Sequence, residues 1–365
     1  MRIGIDTTIM HVNPAGPGKY VRSLLEAHRL LPAPPQISTY SAGLNSVLSA
    51  GGPVGRQAHA LWRDLVWTHA LLPVAVRRSK VDLLHMPAYS IPAIRTTPTV
   101  VTMFDMSVLD RPQDSKTWQR LYLGAMIPFA ARHADRIITI SEFSRQRIHE
   151  LTGEPLTKIT VTSLAAGGEF KRLEAGSRTE QLIEEHGRFI LAVGTLEPRK
   201  NLISLLHAVN HLKRSAVRVR VLLAGLRGWK YEPILRAVEQ LELGEQVRFL
   251  DYVSDSELVR LYNAASALVF PSFYEGFGLP LIEAMACGCP VITSNRTAMP
   301  EVVGDAAILI DPENPEELAD AIARMLSDRE LAAEMSAKGF ERAAQFSWEK
   351  CARQTVEVYR SVLGG

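Results

Sequence analysis

Cysteine is scarce. The chain has three, Cys287, Cys289 and Cys351, an odd number, and two of them lie a single residue apart in an apolar segment with no second pair to complete a zinc site. That excludes a disulfide-built scaffold, and the three read as reduced core thiols. A dominant charge of one sign is also lacking. With 41 basic and 39 acidic residues the net charge is +2, so no global field draws the chain to nucleic acid or anionic lipid, and no basic run is long enough to replace one. No nucleic-acid partner is expected. No segment reaches the roughly 20 uninterrupted apolar residues that span a bilayer, and Met1-Arg2-Ile3-Gly4-Ile5-Asp6 lacks the apolar stretch of a signal peptide. The expected location is the cytoplasm. Short-period repeats and low-complexity segments are missing as well.

What is present is the composition of a soluble globular protein, 47% hydrophobic and 22% charged over 365 residues. That length suits two domains of roughly 100 to 200 residues each. The chain opens with the apolar run Ile3 to Ile5, a loop containing Gly16-Pro17-Gly18, and a helical pattern from Tyr20 to Leu31. Strand patterns recur at Val81 to His85, Thr99 to Met103 and Arg136 to Ile140, with helical patterns such as His59 to Leu72 and Trp118 to Arg132 between them. A charged, Gly-containing stretch from Gly167 to His186 interrupts this alternation. A second series begins at Phe189 to Gly194 and continues through Val217 to Gly225, Val247 to Leu250, Ala267 to Phe270, Pro290 to Thr293 and Ala307 to Ile310. Two consecutive doubly wound α/β domains are predicted, residues 1–170 and 171–345, followed by a helix over 346–365 with Trp348, Val356, Tyr359 and Val362 as apolar anchors.

The most informative segment runs from Phe270 to Gly288 and reads as strand end, loop, helix. Gly276 and Gly278 let the backbone approach a ligand, and the amides around Phe277, Gly278 and Leu279 sit at a helix N-terminus, where partial positive charge favours phosphate. Pro280 suits the first helical position and Gly288 the helix end. Glu283, placed in the first helical turn, can accept hydrogen bonds from ribose hydroxyls, and Glu275 in the loop can reach a sugar. Taken singly, each Glu reads as readily as a dipole-complementing or solvated acid. A second segment shifts the balance. Gly194-Thr195-Leu196-Glu197-Pro198-Arg199-Lys200-Asn201 places two adjacent cations after a strand, where ligands bind in open α/β sheets. A diphosphate leaving group needs roughly two positive charges, from Mg²⁺ on carboxylates or from Arg and Lys directly. The sequence contains no Asp-x-Asp, which favours Arg199 and Lys200. No metal and no cofactor is expected.

Glu275 and Glu283, with seven residues between them in Glu-Gly-Phe-Gly-Leu-Pro-Leu-Ile-Glu, resemble the signature of glycosyltransferase family 4. The resemblance extends through Gly194 to Asn201, Val247 to Ser254 and Met299 to Asp305, covering most of residues 189 to 320. It implies the GT-B architecture, two Rossmann-like domains facing across a cleft with the last helix crossing back to the first. It also implies retaining transfer of a hexose from a nucleotide diphosphate sugar, which is a substrate rather than a cofactor, to a saccharide or lipid-linked acceptor bound by the first domain. Arg199 and Lys200 would then hold the diphosphate, Glu283 the ribose and Glu275 the hexose, with the backbone near Tyr252 and Val253 framing the base. Similarity of Gly194 to Asn201 to mannosyl and rhamnosyl transferases points to GDP-mannose. Since Glu275 matches a sugar-contacting position and no carboxylate suits the role of nucleophile, front-face displacement is the expected route.

The first domain resembles the family less closely. Ala15 to Tyr20, with Gly16 and Gly18, occupies the place of a Gly-rich loop near the donor phosphates, although a simple turn explains it equally well. Val101 to Asp105 matches a position where relatives carry His-Asp. Phe104 replaces the His, and Asp105 is retained as a catalytic candidate. His85 matches another family His and also suits a structural role. Ser141 reads as an N-cap. The stripe Trp62, Trp67 and Leu71, followed by Arg77, Arg78 and Lys80, is expected in the core, with peripheral membrane contact as the alternative. A nicotinamide oxidoreductase is disfavoured because Val21 stands where the third Gly of a dinucleotide fingerprint belongs. A sugar-nucleotide epimerase and a non-catalytic sugar-nucleotide-binding protein remain as alternatives.

Overall fold

A computed structural model describes residues 1–13, 15–42, 62–115, 117–174 and 179–364. The chain divides into two compact units, Met1–Leu164 with Trp348–Gly365, and Ala165–Ser347.

Unit 1 holds the strands β1 (Arg2–Asp6), β2 (Gln36–Tyr40), β3 (Leu83–Met86), β4 (Thr99–Thr102), β5 (Arg136–Thr139) and β6 (Ile159–Val161), all parallel in the order β2-β1-β3-β4-β5-β6. The inner strands β3 and β4 are buried throughout, which is why they read as continuous apolar runs. The edge strands β2 and β6 are only partly buried. They carry no such run and were not expected from the sequence.

Unit 2 repeats the plan with β7 (Phe189–Val193), β8 (Arg220–Ala224), β9 (Val247–Asp251), β10 (Ala267–Phe270), β11 (Val291–Ser294) and β12 (Ala307–Ile310), parallel in the order β12-β11-β10-β7-β8-β9. All six had been read from the apolar runs. Its core is aliphatic, with Ile190, Val221, Leu205, Val269, Ile292 and Ile322 among the buried residues.

Two local expectations change. After a short turn of helix over Ile9–Val12, the next helix is Gly16–Arg29, so Gly16 and Gly18 lie inside its first turn rather than in a loop before Tyr20. The stretch read as one helix from His59 to Leu72 is a π-helix over Trp62–Leu71 that runs into an α-helix over Leu72–Ser79, with His59 to Leu61 outside the described residues. The helix Thr117–His133 carries Pro128 in its interior.

The final helix, Trp348–Leu363, belongs to unit 1, where it packs on Gly16–Arg29. It buries Cys351, Ala352, Val356 and Tyr359. His85 explains part of the fit. Its Nδ1 is 2.7 Å from the Tyr359 hydroxyl and its Nε2 is 2.8 Å from Thr102 Oγ1, so both ring nitrogens are used inside the core and the role of His85 is structural. His28 lies 6.0 Å from the Tyr359 ring, fully buried, with neither ring nitrogen hydrogen-bonded. All three cysteines are buried and free, and burial pushes the Cys287 and Cys351 thiols up to about 12.

The two histidines predict how stability responds to acid. Burial lowers His28 to about 4, and burial together with the neighbouring His28 lowers His85 to about 3, against 6.5 for a free imidazole. The unfolded chain therefore binds protons that the folded chain refuses. The stabilisation is complete above about pH 6.5 and declines as pH falls toward 4, by about 1.4 kcal/mol per pH unit for each histidine. Denaturation midpoints measured between pH 7.5 and 4.5 should fall on this course, and His28→Leu should flatten the slope.

Candidate active site

In unit 2, β7 and β10 are neighbours, yet the chain leaves β7 toward β8 on one side and reaches β11 and β12 on the other. That reversal is a topological switch point. Loops leaving the C-terminal ends of the two strands diverge there and open a crevice. The loop after β7 is 194–201 and the loop after β10 is 271–278.

Two glycines set the first loop. Gly194 takes φ +140°, a conformation that favours glycine, and a Cβ on Gly225 would lie 2.0 Å from the Gly194 carbonyl oxygen, so the ends of β7 and β8 close together only because Gly225 carries no side chain. Leu196 is buried as an anchor. Pro198–Lys200 then forms one 3₁₀ turn, Asn201 adopts a left-handed conformation (φ 55°, ψ 36°), and the helix Leu202–Arg214 begins. The turn presents Arg199 and Lys200 toward the second loop, where the Phe273 amide donates to the Arg199 carbonyl at 2.9 Å.

Both cations converge on Glu275. Lys200 Nζ is 2.7 Å from Glu275 Oε1, and Arg199 Nη1 is 3.0 Å from Oε2. Arg199 also donates to the Tyr274 carbonyl at 2.7 Å and to Glu197 Oε1 at 2.8 Å. Lys200 Nζ lies 4.8 Å above the Phe270 ring, and the Glu275 amide donates to Thr297 Oγ1 at 3.1 Å. Glu275 is buried, with 7% of its surface exposed. Burial alone would raise its carboxyl, but Arg199 and Lys200 outweigh that and bring it down to about 2. Burial likewise lowers the Lys200 ammonium, against the pull of Glu275. The arrangement sets two cations against two carboxylates, Glu275 shared by both and Glu197 on Arg199 alone, so an anion that displaces Glu275 meets both cations.

The second loop ends at Gly278, with φ +93°, and Leu279 and Pro280 open the helix Leu279–Ala286. Phe277 is a core residue, packed edge-on against Phe346 at 5.6 Å. A family model described as glycosyl transferases group 1 matches residues 176–342, the part of the chain that contains both loops. O-antigen chain mannosyltransferase B of Escherichia coli is 36% identical over 293 residues, 78% of this chain and 76% of the relative. The chain belongs to the group 1 glycosyl transferases. The serotype-specific mannosyltransferase WbdA, also of Escherichia coli, is 30% identical over 292 residues, 76% of this chain but 36% of that longer protein. Sucrose-phosphate synthase from Thermosynechococcus elongatus is similar in structure, with a TM-score of 0.80 over 100% of this chain and 99% of that one at 23% identity. The fold is GT-B.

Within this glycosyltransferase the structure brings Arg199, Lys200 and Glu275 into direct contact, with Gly194 and Thr195 at the base of the same loop. Glu283 requires a correction. It occupies the fifth position of its helix, not the first turn, and it is buried, with the Tyr262 hydroxyl donating to Oε2 at 3.4 Å. Tyr252 and Val253 follow β9, and Tyr252 is 72% exposed. The unit 1 candidates make local contacts. Asp105 Oδ1 accepts the Ser107 amide at 2.8 Å, holding the turn Ser107–Asp110. A Cβ on Gly18 would come within 2.4 Å of the Asn13 carbonyl oxygen, so this glycine permits a close backbone approach. Phe104 packs edge-on between Tyr20 at 5.2 Å and Tyr89 at 6.0 Å. Ser141 caps the helix Glu142–Thr152 by accepting the Ser144 amide at 3.0 Å. Among the described residues no group of three or more His, Cys, Asp or Glu is placed to hold a metal ion.

Sequence reasoning missed Asn201. Its side-chain nitrogen donates to the Pro312 carbonyl at 2.7 Å and the Pro271 carbonyl at 3.1 Å, while Oδ1 accepts Ser204 Oγ at 2.7 Å. It thereby ties the cation loop to the ends of β10 and β12. An Asn immediately before a helical pattern was the available signal, but it suggests only a cap.

Replacing Glu275 by Gln leaves two largely buried cations without their shared counter-charge, and should cost about 3 kcal/mol. Chemical denaturation of the variant at pH 7 should show it as a lowered midpoint.

Proposed function

We propose that this glycosyltransferase transfers mannose from GDP-mannose to a saccharide or lipid-linked saccharide acceptor, retaining the anomeric configuration and using no metal. The observation that carries the reading is the convergence of Arg199 and Lys200, at 3.0 and 2.7 Å, on Glu275 at the switch point of unit 2. Two fixed cations supply the charge that a metal would otherwise bring to a diphosphate, and the absence of Asp-x-Asp from the sequence is consistent with that division of labour. The mannose assignment draws on the two relatives named as mannosyltransferases.

In the proposed reaction the donor diphosphate displaces Glu275 from the cations and takes its place, and the freed carboxylate accepts hydrogen bonds from the sugar hydroxyls. The acceptor hydroxyl oxygen attacks the anomeric carbon on the face from which the leaving group departs. The bond from that carbon to the phosphate oxygen breaks, its electron pair stays on the diphosphate, and a phosphate oxygen takes the acceptor proton. Arg199 and Lys200 stabilise the charge that develops there. Glu283 binds the ribose, and the backbone at Tyr252 and Val253 the base.

The work is assigned to the cytoplasm, at the membrane periphery. No helix among the described residues is long and apolar enough to cross a membrane. The helix Leu72–Ser79 and the residues beside it expose Leu71 and Val74, with Arg77, Arg78 and Lys80 following, a pattern suited to anionic lipid headgroups.

Thermal shifts against a panel of nucleotide sugars test the donor. A ligand at 100 times its Kd adds about 2.7 kcal/mol of stability. GDP-mannose should give the largest shift, undiminished by EDTA, and a larger shift with UDP-glucose would overturn the assignment. Lys200→Ala should lower kcat by about 100-fold or more, measured as nucleoside diphosphate release, because it removes one of two charges from the leaving group.

A further inference from the structure

Unit 1 carries an aromatic and charged cluster that the donor chemistry leaves unused. It is built on the π-helix Trp62–Leu71, a rare geometry found most often at functional sites. Thr68 Oγ1 donates to the Arg63 carbonyl, five residues back, at 3.0 Å. Two indole N–H groups fix the surroundings. Trp67 Nε1 donates to Asp6 Oδ2 at 3.1 Å, which moors the π-helix to the end of β1. The sheet of unit 1 reverses its winding between β1 and β3, so this mooring lies at a switch point equivalent to the one in unit 2. Trp118 Nε1 donates to Asp64 Oδ2 at 3.2 Å, while Asp64 Oδ1 takes Arg63 Nε at 2.5 Å.

The Trp118 ring is held on two sides. One face stacks on Tyr122, with centroids 5.6 Å apart and planes 13° from parallel, and its N–H edge is pinned by Asp64. Tyr122 is fixed in turn, since its hydroxyl donates to the Asp64 carbonyl at 2.9 Å. His69 Nδ1 accepts the Ala93 amide at 3.1 Å, so Nε2 carries the proton, and it lies 3.5 Å from the Tyr122 hydroxyl. Despite these restraints Trp118 remains 36% exposed. A flat ring already locked in one orientation binds a partner with little further loss of entropy.

The chemistry around the ring selects the partner. A pyranose offers a face of C–H bonds that suits an aromatic plane, and a rim of hydroxyls that suits a guanidinium and an imidazole. Asp64 is buried with both oxygens engaged, so it orients the ring and Arg63 rather than meeting a ligand. A hydrocarbon chain would have no use for Arg63 and His69. We propose that the Trp118 face, with these two polar residues nearby, binds a sugar unit of the acceptor. This rests on the saccharide-acceptor reading above.

Titration calorimetry with α-mannotriose, maltotriose and chitotriose tests it on the full-length protein. At least one trisaccharide should bind the unaltered protein, and Trp118→Ala should weaken that binding about tenfold, the loss expected for one stacking contact. Trp118→Phe, which keeps an aromatic face but loses the indole N–H and part of the ring area, should fall between the two. Leu121→Ala, on the same helix and 62% exposed, should bind as the unaltered protein does. Equal weakening by Leu121→Ala and Trp118→Ala would make the face a general apolar docking surface and overturn the proposal, as would unchanged binding by Trp118→Ala or no binding of any trisaccharide. Hydrolysis of GDP-mannose by the unaltered protein without acceptor reports separately on the donor reading, so the two can fail independently.

Discussion

The shared grip of Arg199 and Lys200 on the Glu275 carboxylate is the contact around which unit 2 is arranged. Burying charges is costly unless each finds a partner at hydrogen-bond distance, and the distances of 2.7 and 3.0 Å on Glu275, with Glu197 at 2.8 Å on Arg199, meet that condition. Meeting it demands that two loops distant in sequence end side by side. Adjacent placement of β7 and β10 brings the loops together, Gly225 lets the end of β8 close on the Gly194 carbonyl at the base of the first loop, and the Phe273 amide on the Arg199 carbonyl joins the two loop backbones. Asn201 extends the same bracing to the end of β12 through the Pro312 carbonyl. In the proposed reaction the donor inherits a site already organised for negative charge, and Glu275 acts first as a placeholder for the diphosphate and then as a ligand for the sugar.

Unit 1 solves its packing differently. Unit 2 is filled with aliphatic side chains, whereas the seam beneath the last helix of unit 1 is polar and hydrogen-bonded. Thr102 Oγ1 serves both His85 at 2.8 Å and the Tyr20 hydroxyl at 3.2 Å, and Tyr359 completes the chain through His85. Buried polar groups of this kind specify one docking of the helix, since any slip leaves donors or acceptors unpaired. Phe104 packs beside this seam, edge-on between Tyr20 and Tyr89.

Legibility in the sequence followed burial. The inner strands β7, β10 and β11 of unit 2 announced themselves as buried apolar runs, and the edge strands β9 and β12, only partly buried, were still marked by short apolar stretches within them. The half-buried edge strands β2 and β6 carry no such run and were silent. The cation segment and the Glu-Gly-Phe-Gly-Leu-Pro-Leu-Ile-Glu segment were visible as motifs, and the structure unites Arg199, Lys200 and Glu275 as their positions after strands had suggested. The exact place of Glu283 was not visible. Pro280 marked the helix start, but the helix opens at Leu279, which puts Glu283 at the fifth position on the buried side. The π-helix was invisible too, because its apolar pattern over Trp62 to Leu71 fits an ordinary α-helix equally well.

The sequence by itself determined the class of fold, the second of its two sheets and the residue types that carry the donor chemistry, because apolar periodicity and glycine placement are local properties. Pairings across long separations were decided only in three dimensions: Arg199 and Lys200 with a carboxylate 75 or more residues away, Asn201 with a carbonyl 111 residues on, and His85 with Tyr359 at a separation of 274. Such contacts depend on which strand ends become neighbours, and strand order is fixed by the packing of the whole sheet rather than by any stretch of chain within it.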